Sequence, residues 1–313
     1  MSTIQGASRH VLVTGASGFI GRHCLQPLVA RGYEVTAVHA RGEPPEVDGV
    51  RWRRADLLDT GTIAGLVAQT NASHLLHLAW YVEPGKMIAA PENLQWVAAS
   101  LELIRIFREH GGQRCVVAGS CYEYDWRHGY LSEELTPRVP DTFYGCAKNG
   151  LHEVFRAYCT ASGLSGAWGR AFFMYGPHEN PRRLVSSVVL ALLNCKEAPS
   201  SHGQQIRDYM HVQDVADGLV TLLDSSAGGA YNIASGAAVT LRTIIERIGA
   251  LTGRTDLLRI GALPARANDL PLVVGDPGKL QRDLGWSPRF DLDSGLAATI
   301  DWWRAVQNIR AGQ

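Results

Sequence analysis

The chain has 313 residues, 46% of them hydrophobic and 19% charged, a length that accommodates one large α/β domain with a smaller lobe and a composition that excludes a disordered protein. Its 30 basic and 30 acidic side chains cancel to a formal net charge of zero, so no global field attracts nucleic acid or an acidic membrane surface, and any phosphate must be bound by local basic residues. No apolar run approaches the ~20 residues that span a bilayer, Met1 to Arg9 lacks an apolar signal core, and the six cysteines show neither a CxxC pair nor metal-ligand spacing, so a cytoplasmic protein without a metal is expected.

The first half alternates short β-branched runs with amphipathic stretches. His10–Thr14 reads as a strand and Phe19–Arg31 as a helix, followed by strands at Glu34–Val38 and Gly49–Arg53. A helix over Gly61–Gln69, a strand over His74–Leu78, a long helix from Asn93 to Glu109 and a strand over Arg114–Ala118 continue the alternation. Another helix begins near Asp141. Such an order predicts parallel βαβ units with right-handed crossovers, an α/β fold with a Rossmann-type doubly wound parallel sheet. Beyond Arg170 glycine and proline become frequent and the segments shorten. Residues 171–313 therefore read as a smaller C-terminal lobe and 1–170 as the first domain, with 212–235 returning to pack on it.

Between the first strand and the first helix lies Thr14-Gly15-Ala16-Ser17-Gly18-Phe19-Ile20-Gly21. Glycines 15, 18 and 21 permit positive φ and close approach to a pyrophosphate, which the helix N-terminus then attracts with unpaired N–H groups. The spacing is GxxGxxG, not GxGxxG, and its place at the first strand–helix junction makes the dinucleotide reading stronger than a merely structural turn. An NAD site places an acid at the end of the second strand to receive the ribose hydroxyls. Here His39-Ala40-Arg41 follows instead. Arg41, with His39, suits the 2′-phosphate of NADP; NAD is the alternative, in which Arg41 is a solvated loop residue.

Tyr144-Gly145-Cys146-Ala147-Lys148 places a phenol and an ammonium on one helical face. The ammonium favours the tyrosinate, drawing the phenol from about 10 toward working pH and making Tyr144 a candidate general acid or base. Ser120 presents a hydroxyl where the fifth predicted strand ends, the edge at which ligands bind in open α/β sheets. Tyr122, Tyr124, Trp126 and Tyr130 crowd the loop that follows, to stack on a sugar or base or to pack locally. Phe143 is expected in the core.

TGASGFIG, HLAW (His77–Trp80), Gly119-Ser120 and YGCAK resemble the extended short-chain dehydrogenase/reductases, the NAD-dependent epimerases, dehydratases and ketoreductases of sugar nucleotides. The resemblance continues through YGPHE (Tyr175–Glu179), RDYMHVQDVADG (Arg207–Gly218), YNIASG (Tyr231–Gly236) and LGWSP (Leu284–Pro288), nearly the whole chain. It implies a catalytic set of Ser120, Tyr144 and Lys148, with Lys148 also on the nicotinamide ribose. It places the dinucleotide along Gly15, Ser17, Gly18, Phe19, Ile20 and Gly21, past His39, Arg41, Asp56 and Leu57, and over Leu78 and Ala79 to Tyr144 and Lys148. Asp56 matches the family's adenine contact, its alternative being a turn or cap; Asn93 matches a family asparagine that has a structural alternative. On the substrate side the resemblance implies Trp80, Cys121, Tyr122, His178, Arg207 and Arg266, with the two arginines on a diphosphate, as their planar forks suit. Their alternative is surface ion pairing, Arg207 having Asp208 beside it.

Departures from the family pattern narrow the chemistry. The dehydratases carry Asp-Glu directly after the active-site hydroxyl, whereas Ser120 is followed by Cys121-Tyr122. The 3,5-epimerase/reductases place a cysteine two residues after the serine, where this chain has Tyr122. Phe173 stands where epimerases often carry an asparagine, three residues after the arginine matched by Arg170. The sequence therefore favours an NADPH-dependent reductase of a 4-keto-6-deoxy sugar nucleotide. The alternatives are a 4-epimerase on retained NAD, a non-sugar carbonyl reductase, and a non-catalytic dinucleotide sensor. The resemblance also implies a homodimer joined through the helix from Asn93 and the helix carrying Tyr144.

Overall fold

The structure is a computed structural model that describes residues 9–265 and 269–311. Val11, Leu12 and Val13 are fully buried in β1 (His10–Thr14), the unbroken apolar run that a sheet covered on both faces requires. Then follow α1 (Gly21–Ala30), β2 (Glu34–His39), β3 (Val50–Arg54), α2 (Thr60–Thr70), β4 (His74–His77), α3 (Glu92–Glu109) and β5 (Arg114–Ser120). After β6 (Tyr130–Leu131) come α4 (Phe143–Ser162), β7 (Ser165–Ala171), β8 (Phe173–Tyr175), α5 (Leu184–Leu193) and β9 (Ala198–Ser200). Next are β10 (Ile206–Arg207), β11 (Tyr209–His211), α6 (Val212–Leu223), β12 (Gly229–Ile233), β13 (Val239–Thr240) and α7 (Leu241–Thr252). The described chain closes with β14 (Leu258–Ile260), β15 (Leu272–Gly275), α8 (Gly278–Leu284) and α9 (Leu292–Ala311).

The main sheet has seven strands in the order β12-β7-β5-β4-β1-β2-β3. The pairs β1 with β2, β1 with β4, β2 with β3 and β4 with β5 are all parallel. The chain winds outward from β1 through β2 to β3, then resumes on the other side of β1 with β4. The carboxyl ends of β1 and β4 therefore flank a topological switch point, the place where open α/β sheets receive ligands.

The described residues divide into two units, 9–120, 141–169 and 219–231 in the first and 121–140, 170–218, 232–265 and 269–311 in the second. The first is centred on Leu12, Leu75, Phe107, Val117, Leu151 and Trp168. The second is centred on Tyr175, Val185, Ile244, Leu296 and Trp303. A division near 170 expected from composition puts 121–140 in the first domain; the structure assigns that segment to the second unit. The reason is packing: Cys121, Tyr124 and Leu131 bury themselves with Phe172, Ala234 and Val273. The returning segment is 219–231, tied to the sheet by Arg114, which donates to the carbonyls of Leu222 (2.6 Å) and Ala227 (2.8 Å). Phe143, expected in the core, is 43% exposed, because Tyr144 beside it takes the inward direction at the first turn of α4. Among the described residues no helix is long and apolar enough to cross a membrane.

Candidate active site

The turn after β1 is built for close backbone contact. Gly15 has φ +66°, and a Cβ there would stand 2.7 Å from the Ala79 nitrogen. A Cβ on Gly21 would meet the Gly15 carbonyl oxygen at 2.2 Å. Neither position tolerates a side chain, so the turn lies directly against the residues that follow β4. Gly18 closes the turn through its N–H to the Gly15 carbonyl, 3.0 Å. No side chain caps α1 and no acid lies in its first turn, which leaves the positive end of the helix open to an anion. Arg22, which the sequence reading did not single out, donates to the Ser17 carbonyl at 2.8 Å and braces the turn. Ser17, Phe19 and Ile20 are half-buried within it and Gly18 is exposed.

β4 ends beside this turn. Thr14 accepts from the N–H groups of Leu78 (3.2 Å) and Ala79 (3.4 Å) and bonds His77 Nδ1 at 2.6 Å. Ser100 donates to the Trp96 carbonyl (2.6 Å) and so accepts from His77 Nε2–H at 2.8 Å. The network assigns a neutral imidazole protonated on Nε2. Burial, followed by the charge of Lys148, lowers the His77 pKa to about 3.

Tyr144 and Lys148 lie one turn apart at the start of α4, whose N-cap Thr142 accepts from Gly145 N–H at 3.1 Å. Tyr144 is further held by its own N–H on the Ile88 carbonyl, 3.0 Å. The Lys148 ammonium, on a side chain buried with its neighbours, donates to the Ala118 carbonyl of β5 at 2.9 Å. It also stands 3.7 Å from the ring centroid of Trp80, and that indole meets the Tyr144 ring edge-on at 6.4 Å. Ser120 is the last residue of β5 and is buried. The structure thus gathers Tyr144, Lys148 and Trp80 in the first unit, with Ser120 at the end of the strand to which Lys148 bonds. Asn93 is fully buried and holds the Trp80 N–H on its Oδ1, 2.8 Å; no spacing in the sequence connects these two residues.

At the other end of the predicted dinucleotide path, His39 closes β2. It is buried, its Nδ1 has no hydrogen-bond partner, and its ring lies edge-on to Trp52 at 5.9 Å. Its neighbour in register on β3 is Arg54, a second exposed arginine beside the exposed Arg41. Arg51 pairs with Glu34, whereas Arg41 and Arg54 have no ion-pair partner among the described residues. The sequence reading did not single out Arg54, because strand register alone brings it beside His39. Asp56 is exposed and accepts from the Leu58 N–H at 3.0 Å, a turn within the loop that leads to the Asp59 cap of α2. Leu57 is buried in the core of the first unit.

In the second unit Arg207 is buried and not on the surface, but it is ion-paired, as its alternative reading had it. It donates to Asp269 Oδ1 (2.5 Å) and to the Ile206 carbonyl (2.8 Å). Its guanidinium carbon lies 6.0 Å from the Trp126 ring centroid and 5.6 Å from that of Phe173. Asp208 turns away to accept from Ser235 and from the N–H groups of Gly236 and Gly275. Tyr122 packs against Trp126 at 4.4 Å between centroids with the rings tilted by 50°, and the Trp126 N–H donates to the Cys121 carbonyl at 2.7 Å. The Cys121 side chain is itself 2% exposed within the apolar cluster. His178 lies against Trp302 of α9 at 4.4 Å, with φ +69°. Arg266 lies outside the described residues. Beneath the loop a fully buried ion pair, Arg170 Nε to Glu123 Oε2 at 2.6 Å, joins the Tyr124 hydroxyl. Nothing in the spacing marked Glu123 as the partner of Arg170.

Residues 11–234 match the model of the NAD dependent epimerase/dehydratase family. The chain is 27% identical over 325 residues to a dTDP-glucose 4,6-dehydratase of an Actinoplanes species, covering 94% of this chain and 98% of that relative. It is 26% identical over 270 residues to a dTDP-6-deoxy-L-talose 4-dehydrogenase (NAD(+)) of Aggregatibacter actinomycetemcomitans, with 85% and 99% coverage. Among solved structures, the UDP-glucose 4-epimerase of Thermus thermophilus in complex with NAD superposes with a TM-score of 0.83 at 27% identity, over 94% of this chain and 99% of that one.

Proposed function

The chain belongs to the NAD dependent epimerase/dehydratase family, and on that premise we propose that it reduces the 4-keto group of a 6-deoxy sugar nucleotide with NADPH. The observation that carries the choice of reaction is the pair Cys121-Tyr122 after Ser120. Water elimination needs an acid and a base at that point, and this chain offers a buried thiol and a phenol packed against Trp126 instead. A relative named as a dTDP-6-deoxy-L-talose 4-dehydrogenase (NAD(+)) supports oxidation–reduction at the 4-position of a 6-deoxy sugar nucleotide, although its named cofactor is NAD.

The residues present fit a dinucleotide. The Gly15 and Gly21 cradle admits no Cβ, α1 offers an uncapped N-terminus, and the orphaned Nδ1 of His39 marks a polar position at the end of β2. When bound, the reduced nicotinamide supplies the hydride. Tyr144 donates the proton to the carbonyl oxygen, Ser120 donates a hydrogen bond to the same oxygen, and the Lys148 ammonium keeps the phenol ready to lose its proton. Arg41 receives the 2′-phosphate, with Arg54 beside His39 adding positive charge. Arg41→Ala is expected to weaken NADPH by roughly 1–3 kcal/mol relative to NADH, read by calorimetric titration with both. Equal losses would mean that Arg41 does not read the 2′-phosphate and that the NADP assignment fails.

Arg207 binds the substrate diphosphate. Two of its five N–H donors are engaged by Asp269 and Ile206, which pre-orients the fork and leaves donors for phosphate. The test is NADPH oxidation with a 4-keto nucleotide sugar and with a phosphate-free ketone, for the wild type and Arg207→Ala. The variant is expected to raise KM for the nucleotide sugar tenfold or more, about 1.4 kcal/mol per decade, and to leave the phosphate-free ketone unchanged. Nucleotide-sugar kinetics untouched by the substitution would leave a simpler carbonyl reductase. Interconversion of 4-epimers without net NADPH consumption would instead identify a 4-epimerase, a reading that the match to the Thermus thermophilus enzyme also supports.

A further inference from the structure

Trp80 follows β4 and is half-buried. Its Nε1–H donates to Asn93 Oδ1 at 2.8 Å. Asn93, fully buried, donates in turn from Nδ2 to the carbonyls of Met87 (2.8 Å) and Ala90 (2.9 Å). The amide cannot flip without breaking all three bonds, so the plane of the indole is set by a group that is itself locked. Trp96 stacks with the same indole at 6.3 Å and 29°.

On this fixed ring stands the Lys148 ammonium, 3.7 Å from the centroid. Lys148 is 4% exposed, and burial alone disfavours its charged form. An aromatic face within about 6 Å opposes that penalty, and does so more strongly where water is excluded. The neighbouring imidazole of His77 is kept neutral by burial and by Lys148 itself, so it adds no competing positive charge. Ser120 ends the strand whose Ala118 carbonyl takes the ammonium proton in a hydrogen bond. Tyr144, the group that the ammonium serves, touches the same indole edge-on.

We propose that Trp80 is a positioning residue, an anchored aromatic seat that keeps Lys148 charged and aimed beside Tyr144, and that Asn93 sets that seat. The role differs from the substrate contact implied by family resemblance, and it rests on the reading of Tyr144 as the proton donor. Its consequence is that replacing the indole face changes the ionisation of Tyr144 even with no substrate or dinucleotide present.

The test is a pH titration of the full-length protein carrying tyrosine labelled with carbon-13 at Cζ, with Tyr144→Phe identifying the resonance. Trp80→Leu is expected to raise the pH at which Tyr144 ionises by about one unit. Trp80→Phe, which keeps an aromatic face, is expected to restore most of that shift. Tetrafluorotryptophan at position 80 keeps the shape and the N–H but withdraws charge from the face, and should reproduce the direction of the Trp80→Leu shift. If Trp80→Leu fails to fold, the fluorinated protein decides alone, and an unchanged titration in it overturns the proposal. Full turnover in Tyr144→Phe would overturn the reading of Tyr144 while leaving the titration result standing, so the two failures are distinguishable.

Discussion

Tyr144→Phe is expected to lower kcat by about 10²–10⁴-fold with dinucleotide affinity unchanged. The substitution removes one oxygen and keeps the ring. The edge-on contact with Trp80, the Thr142 cap and the N–H bond to Ile88 all survive, so the first turn of α4 keeps its place. What the substitution removes, on the proposed mechanism, is the proton source for the carbonyl oxygen. Equal falls in kcat and kcat/KM would mark an interaction made only in the transition state. Steady-state dinucleotide oxidation with calorimetric measurement of dinucleotide binding checks both halves of the expectation. Near-normal turnover would remove Tyr144 from the mechanism.

Glu123→Leu is expected to destabilise the second unit by about 3–5 kcal/mol, because it strands the Arg170 guanidinium in a site with no access to water. Burial by itself works against the charge on Arg170, but the Glu123 carboxylate and Tyr124 outweigh it and its pKa is raised. The pair is extended by the Tyr124 hydroxyl, which donates to Asn232 Oδ1 at 2.8 Å; Asn232 in turn donates to the Leu131 carbonyl at 2.8 Å. The ion pair thus ties the loop after Ser120 to Arg170, and the Tyr124–Asn232 hydrogen bonds carry the network on to Leu131 of β6. Urea unfolding of Glu123→Leu, Arg170→Met and the double variant closes a double-mutant cycle. The double variant, with both charges gone, is expected to recover much of the loss. A single-variant effect below about 1 kcal/mol, in the range of an exposed pair, would show that the network contributes little.

The placement of the glycine turn was readable because local chain geometry dictates it. A turn at φ +66° in which an added Cβ would stand 2.7 Å from the Ala79 nitrogen can hold only glycine, and the order of strand, turn and helix is itself local. Tyr144 and Lys148 were equally readable, since a spacing of four decides that two side chains share a helical face. The start of α1 at Gly21, two residues later than expected, follows from the same turn, which keeps Phe19 and Ile20 outside the helix. Asp56 carried two readings in sequence, and the structure shows its carboxylate in a turn to Leu58.

By itself, then, the order of residues determined the βαβ alternation, the glycine turn and the helical pair, all set by interactions between residues close in the chain. The tertiary structure alone decided which distant residues meet. Register on adjacent strands brings Arg54 beside His39, fifteen residues away in sequence. The loop between β4 and α3 folds back so that Asn93 holds Trp80, and α4 then carries Lys148 onto that indole. Burial of Cys121, Tyr124 and Leu131 with Phe172 and Val273 draws 121–140 into the second unit, against the continuous boundary that composition suggested. The physical reason is common to all of them. Side-chain periodicity and turn chemistry act over a few residues, whereas the partner of a buried charge or polar group is chosen by whichever segment the whole fold delivers to it.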